Sequence, residues 1–164
     1  MNGTAAAQSA EIGIGMVGFG FIGKVHAYAY DNQALFYDPP PAKPRLAGVC
    51  TSREETAETA REVGGFEFAT TRFEDLLERD DIAIIDVATP NALHHDEVLA
   101  ALEAGKHVYC DKPLAVTLDE AREMAAAADA ADHLTTGMAF HMRFAPATMR
   151  ARQLIDDGFL GEVY

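Results

Sequence analysis

The sequence predicts an α/β fold, a Rossmann-like doubly wound parallel sheet with helices on both faces. Three observations predict it. Strand-type and helix-type segments alternate six times along the chain. The run Ile82-Ala83-Ile84-Ile85-Asp86-Val87-Ala88 is almost continuously apolar, as a strand buried on both faces must be. A glycine-rich turn, Gly18-Phe19-Gly20-Phe21-Ile22-Gly23, stands between the first strand pattern and the first helix pattern.

The elements follow in order. Residues 1–10 are small and polar and are expected to be disordered. Ile12 to Val17 reads as the first strand, and Phe21 to Ala34 as the first helix. Pro39, Pro40, Pro41 and Pro44 remove backbone donors and fix φ, so an extended loop follows. The second strand is Arg45–Cys50. Ser52 and Glu55 have capping-box spacing and open a helix to Val63, which Gly64-Gly65 stops. A short strand is expected at Phe66–Phe68. A second box, Thr71 with Glu74, opens a short helix to Glu78. After the 82–88 strand, Thr89-Pro90-Asn91 breaks the chain. A helix then runs from Ala92 to Ala104, with Gly105 in the left-handed capping place. His107–Cys110 is the fifth strand, ended by Asp111-Lys112-Pro113. Thr117 and Glu120 form a third box ahead of a helix over 118–131, and Leu134–Phe140 is the sixth strand. Pro146 opens a last helix to Asp157, with Gly158 as its stop. Val163-Tyr164 reads as the start of a further strand. A strand needs a partner, so the chain is expected to be one domain of a longer protein.

Composition narrows the function. The 164 residues, 49% of them hydrophobic, suffice for one domain with a core. Thirteen basic against 26 acidic residues give a net charge of −13, which argues against a nucleic-acid surface. There is no apolar run long enough for a membrane span. Cys50 and Cys110 can frame no disulfide network and lack zinc spacing, so both are expected to pack in the core, with no metal site. The N-terminus has neither the basic start nor the apolar stretch of a signal peptide, and a reducing, cytoplasmic setting is expected.

The glycine turn carries the cofactor expectation. Gly18 permits the tight turn, Gly20 lets the backbone approach a pyrophosphate, and Gly23 allows close helix–strand contact. The helix opening at Phe21 and Ile22 presents free N–H groups and the positive end of its dipole to the same anion. The acid that would bond the adenosine ribose is not evident after the second strand. Ser52 and Arg53 stand there instead, which leans toward the 2′-phosphate of NADP, although Glu54 or Glu55 could serve the ribose of NAD. Thr89-Pro90-Asn91, His94, Asp111-Lys112-Pro113 and Arg143 also follow strand ends, the edge at which open α/β sheets bind ligands. Lys112 is a candidate cation for a nicotinamide ribose or a substrate hydroxyl, or else a surface partner of Asp111. His26 and His94 can each face the cleft or pack. His95, His107 and His133 read as solvated or packing residues.

Three motifs together resemble the glucose–fructose oxidoreductase / inositol dehydrogenase family: Gly-x-Gly-x-x-Gly-x-x-His at Gly18–His26, Thr-Pro-Asn-x-x-His at Thr89–His94, and Ala-Gly-Lys-His-Val-x-Cys-Asp-Lys-Pro at Ala104–Pro113. The family's Glu-Lys-Pro is Asp-Lys-Pro here. The resemblance implies an enzyme that moves hydride between NAD or NADP and a sugar, inositol or related polyol. It implies that Lys112 is the catalytic lysine, that Asn91 and His94 line the nicotinamide half of the cleft, and that Arg143 approaches the cofactor. It also implies a homo-oligomer and a second α/β domain that bears the substrate walls. Residues 159–164 resemble the start of that domain, with residues 11–158 forming the dinucleotide-binding one. A cofactor-binding regulator and an NAD-dependent glycosidase share the same first domain and are the alternatives.

Overall fold

The computed structural model describes residues 10–162. Six parallel strands form one sheet in the order β3-β2-β1-β4-β5-β6. They are β1 (Glu11–Val17), β2 (Lys43–Cys50), β3 (Phe68–Thr70), β4 (Ile84–Val87), β5 (His107–Cys110) and β6 (Thr136–Met138). The helices are α1 (Phe21–Asp31), α2 (Glu54–Gly64), α3 (Glu74–Leu77), α4 (His94–Glu103), α5 (Leu118–Ala130) and α6 (Pro146–Asp156). The expected strand at Val163-Tyr164 and the expected disorder of residues 1–9 lie outside the described residues.

Successive strand residues point to opposite faces, and two cores result. Met16 and Val49 join Ala27 of α1, Ala60 of α2 and Phe66 on one face. Their neighbours Val17 and Cys50 join Ile85, Val87, Val108, Leu76 of α3, Leu102 of α4 and Met124 of α5 on the other. β4 is buried between these layers, which is why its sequence is apolar with one exception, Asp86. Beyond α1, the first face of β4, β5 and β6 borders a second cavity of about 560 Å³, lined in part by His26, Tyr30 and Tyr109. No residue of α6 is buried.

Local expectations shift in places, and several elements are shorter than expected, β6 most of all. The box at Thr117 and Glu120 forms as expected: Thr117 Oγ1 accepts the Glu120 N–H at 3.2 Å, and Glu120 Oε2 accepts the Thr117 N–H at 3.1 Å. The box at Ser52 does not. Arg53 is the N-cap of α2, and Thr51 and Thr56 share a hydroxyl hydrogen bond of 2.6 Å across the turn. At α3, Thr70 rather than Thr71 organises the turn, donating to Asp75 at 2.5 Å and accepting the Arg72 N–H at 3.0 Å. β3 begins at Phe68 because the Phe66 N–H closes α2 onto the Arg61 carbonyl at 3.1 Å while its ring is buried beside Ala60. That N–H is therefore not free for the ladder.

Candidate functional site

The crossover between β3 and β4 reverses the winding, and the order β2-β1-β4 leaves a crevice outside the C-terminal ends of β1 and β4. A cleft of about 750 Å³ opens there. Its floor is the Gly18–Ile22 turn. Gly18 has φ +88, and a Cβ on it would lie 2.6 Å from the Ala88 carbonyl oxygen, so only glycine fits. A Cβ on Gly23 would lie 2.6 Å from the Gly18 carbonyl oxygen; its absence lets α1 sit against the turn. Gly20 is different. Nothing lies within 4 Å of a Cβ placed there, so the packing does not require this glycine, and the space beside it is open. Gly20 is the N-cap of α1, with no side-chain cap and no acid in the first helical turn. The N–H groups of that turn and the positive end of the dipole are left for an external anion. The turn therefore fits a dinucleotide pyrophosphate.

At the end of β2, Ser52 and Arg53 line the cleft, whereas Glu54 and Glu55 do not. The Arg53 side chain has no ion-pair or hydrogen-bond partner among the described residues. Thr71, after β3, and Phe73 complete this end.

The loops after β4 and β5 form the other side. Thr89 and Pro90 line the cleft together with Leu93 and Glu97, and Asp111, nearly buried, lines it from β5. Thr89 Oγ1 donates to Glu97 Oε2 at 2.5 Å. Burial pushes the Glu97 carboxyl up; the Thr89 hydrogen bond pulls the other way but is outweighed. Lys112 is exposed and makes no ion pair with Asp111, and its ammonium has no partner among the described residues. Asn91 and Lys112 sit just beyond the cleft's lining, and Arg143 lies on an exposed 3-10 turn, His141–Phe144, over the Phe144 ring.

The histidines separate. His94 is 1% exposed and sits behind the cleft wall rather than on it. Its Nδ1 is 3.0 Å from the Pro113 carbonyl oxygen and its Nε2 is 2.9 Å from that of Thr89. Direct contact with a cofactor is thus not open to the ring as placed. His26 turns to the second cavity, with Nδ1 3.0 Å from Asp86 Oδ1; Tyr30 OH donates to Asp86 Oδ2 at 2.8 Å. Burial lowers the His26 pKa, but the hydrogen bond and charge of Asp86 outweigh it and the net shift is upward. His95 pairs with Asp96 and Glu123 at the surface, and His107 Nδ1 accepts the Thr135 N–H. Burial pushes the Cys50 thiol up to about 11 and Cys110 to about 12, as befits core residues. Among the described residues no cluster could hold a metal ion, and no helix is long and apolar enough to cross a membrane.

Sequence reasoning missed Thr71, Phe73, Leu93 and Glu97 as cleft residues. Thr71 follows β3, so the strand-end rule that selects Thr89 reaches it too. Leu93 and Glu97 are four apart across the start of α4 and share a face; nothing in the sequence says which way that face points.

Residues 12–138 match the GFO/IDH/MocA oxidoreductase family, NAD-binding Rossmann fold. A levoglucosan dehydrogenase of Pseudarthrobacter phenanthrenivorans is 36% identical over 153 residues, 93% of this chain and 39% of that enzyme. A D-xylose 1-dehydrogenase [NADP(+)] of Haloarcula marismortui is 36% identical over 116 residues, 70% of this chain and 32% of that enzyme. Among solved structures, levoglucosan dehydrogenase in complex with NADH and levoglucosan superimposes with a TM-score of 0.87 at 36% identity, over 93% of this chain and 41% of the other. The chain thus spans about two-fifths or less of the length of these relatives.

Proposed function

The chain belongs to the GFO/IDH/MocA oxidoreductase family, and from that premise we propose that it is the dinucleotide-holding part of an enzyme that transfers hydride between NAD(P) and a carbon of a sugar or polyol. The observation that carries this reading is Gly20, a glycine that the fold does not need, at the helix N-terminus facing the cleft. The relatives support the substrate class, since they are named for levoglucosan and D-xylose. When bound, the dinucleotide supplies the hydride donor or acceptor. The N–H groups of the Gly20–Gly23 turn would hold its pyrophosphate. Ser52 and Arg53 take the adenosine ribose, with Arg53 offering an unpaired guanidinium to a 2′-phosphate. Thr89, Pro90 and Asp111 form the wall leading to the nicotinamide end, where Asn91 and Arg143 approach from the rim. Lys112 would hold the reacting hydroxyl through Nζ and relay its proton to solvent as hydride leaves that carbon for the dinucleotide. In the reverse direction it returns a proton to the carbonyl oxygen.

Calorimetric titration of the chain with NADPH and NADH tests the reading. Both are expected to bind, NADPH more tightly. Arg53→Ala should weaken NADPH by about tenfold or more, since a charge-assisted hydrogen bond is worth about 1.5–3 kcal/mol, and weaken NADH less. Failure of the wild-type chain to bind either dinucleotide would overturn the cofactor assignment. Equal weakening of both by Arg53→Ala would remove Arg53 from the 2′-phosphate site.

A further inference from the structure

We propose that His94 is a positioning residue whose buried imidazole, at the start of α4, ties the loop after β5 to that helix, and so fixes Lys112 at the mouth of the cleft. The inference rests on the reading of Lys112 given above and adds what holds it in place. Lys112 is exposed and its side chain has no partner among the described residues, so its position is set by its backbone. That backbone hangs between two anchors. On the N-terminal side, the Asp111 N–H donates to the Val87 carbonyl at 2.9 Å, the last bond of the β4–β5 ladder. On the C-terminal side, the Pro113 carbonyl oxygen meets His94 Nδ1 at 3.0 Å. Pro113 has no N–H, so its carbonyl is the one backbone polar group by which it can be held.

The other ring nitrogen faces the β4 loop. Nε2 lies 2.9 Å from the Thr89 carbonyl oxygen, immediately before Pro90-Asn91. Thr89 is held a second time, through its hydroxyl, by Glu97. Because His94 opens α4 and is 1% exposed, the ring is gripped by the core and cannot follow the loops if they move. A purely space-filling histidine would not need a ring nitrogen within hydrogen-bond distance of the Pro113 carbonyl. A neutral imidazole donates from one nitrogen only, and the hold on Lys112 needs that N–H on Nδ1, toward Pro113, so variants that keep a donor at one nitrogen position or the other test it. Asparagine places an amide nitrogen near the position of Nδ1; glutamine places one near that of Nε2.

The test measures backbone ¹⁵N order parameters at Lys112 in the free chain, with the Ser52-Arg53 turn as an internal control. Wild type is expected to give a rigid value near about 0.85, falling below about 0.6 in His94→Gln, which keeps only the Thr89 side. His94→Asn, which keeps the Pro113 side, should restore rigidity at Lys112. The control turn should not change in either variant, although both will melt at a lower temperature. Lys112 remaining as rigid in His94→Gln as in wild type would overturn the proposal, as would loosening of Lys112 and the control turn together. NADPH is then added to each variant, with affinity and the ¹³C signal of methylated Lys112 as readouts. Retained affinity with a lost Lys112 response in His94→Gln is the expected pattern, and an unchanged Lys112 response overturns the link to the site. No binding by the wild type would instead refute the cofactor reading, while the order parameters still decide the tie.

Discussion

Replacing Gly20 by alanine separates what the turn does for the fold from what it does for a ligand. Gly20 has φ −75 and ψ −156, which alanine adopts without strain, and its Cβ would meet nothing within 4 Å. Two small effects on stability oppose each other. Alanine restricts the unfolded chain, stabilising by about 0.4–1 kcal/mol. It is also a poorer N-cap than glycine, costing a similar amount, about 0.5–1 kcal/mol. The net change should be within about 0.5 kcal/mol of zero, or less than about 2 °C in Tm. Affinity should respond very differently. The methyl group enters the cleft at the helix N-terminus and holds an anion off the first-turn N–H groups. Losing one charge-assisted hydrogen bond costs about 1.5–3 kcal/mol, roughly a tenfold to hundredfold rise in Kd. Thermal unfolding and calorimetric titration with NADH and NADPH on the same preparations measure both. Unchanged affinity in Gly20→Ala would show that the pyrophosphate does not cross this turn. A large fall in Tm would show that the open space beside Gly20 is not what the geometry says it is.

Two further outcomes concern stability. His26 is held above its unfolded value near 6.5 by Asp86, against the effect of burial, so the folded state binds a proton the unfolded state releases first. Its contribution is full below that value and is lost as pH rises through the raised one. Denaturant unfolding between pH 6 and pH 9 should show this decline reduced in His26→Gln, and an equal decline in both proteins would contradict the pairing. Thr117→Ala should cost about 1 kcal/mol, or about 2–4 °C in Tm, because it removes the hydroxyl half of the α5 capping box. Ser52→Ala should change Tm by much less, because Ser52 caps nothing; equal shifts would show that the two serine/threonine boxes are equivalent after all.

The sequence by itself determined the architecture and marked the glycine turn that lines the candidate cleft. Alternation of strand and helix patterns requires a parallel sheet, and glycines spaced as Gly18, Gly20 and Gly23 between a strand and a helix leave little else for the turn to do. These are short-range signals: each depends on residues within a few positions of one another, and backbone sterics and hydrogen-bond satisfaction act at that range. The same holds for Thr117 with Glu120, and yet the matching pattern at Ser52 with Glu55 is not used. There α2 starts one residue later, because Thr51 and Thr56 bond each other across the turn and Arg53 takes the N-cap. Tertiary structure also decided the fate of the histidines. His26 and His94 both stand near the start of a helix that follows a strand end, and the sequence left either free to face the cleft. Which way each ring points depends on the rotation of its helix against the sheet, set by core contacts far away in the chain. For His26 that rotation meets Asp86, 60 residues on. For His94 it meets two backbone carbonyls, one of them 19 residues away at Pro113. Carbonyl partners leave no mark in residue identity, so no spacing could have announced them.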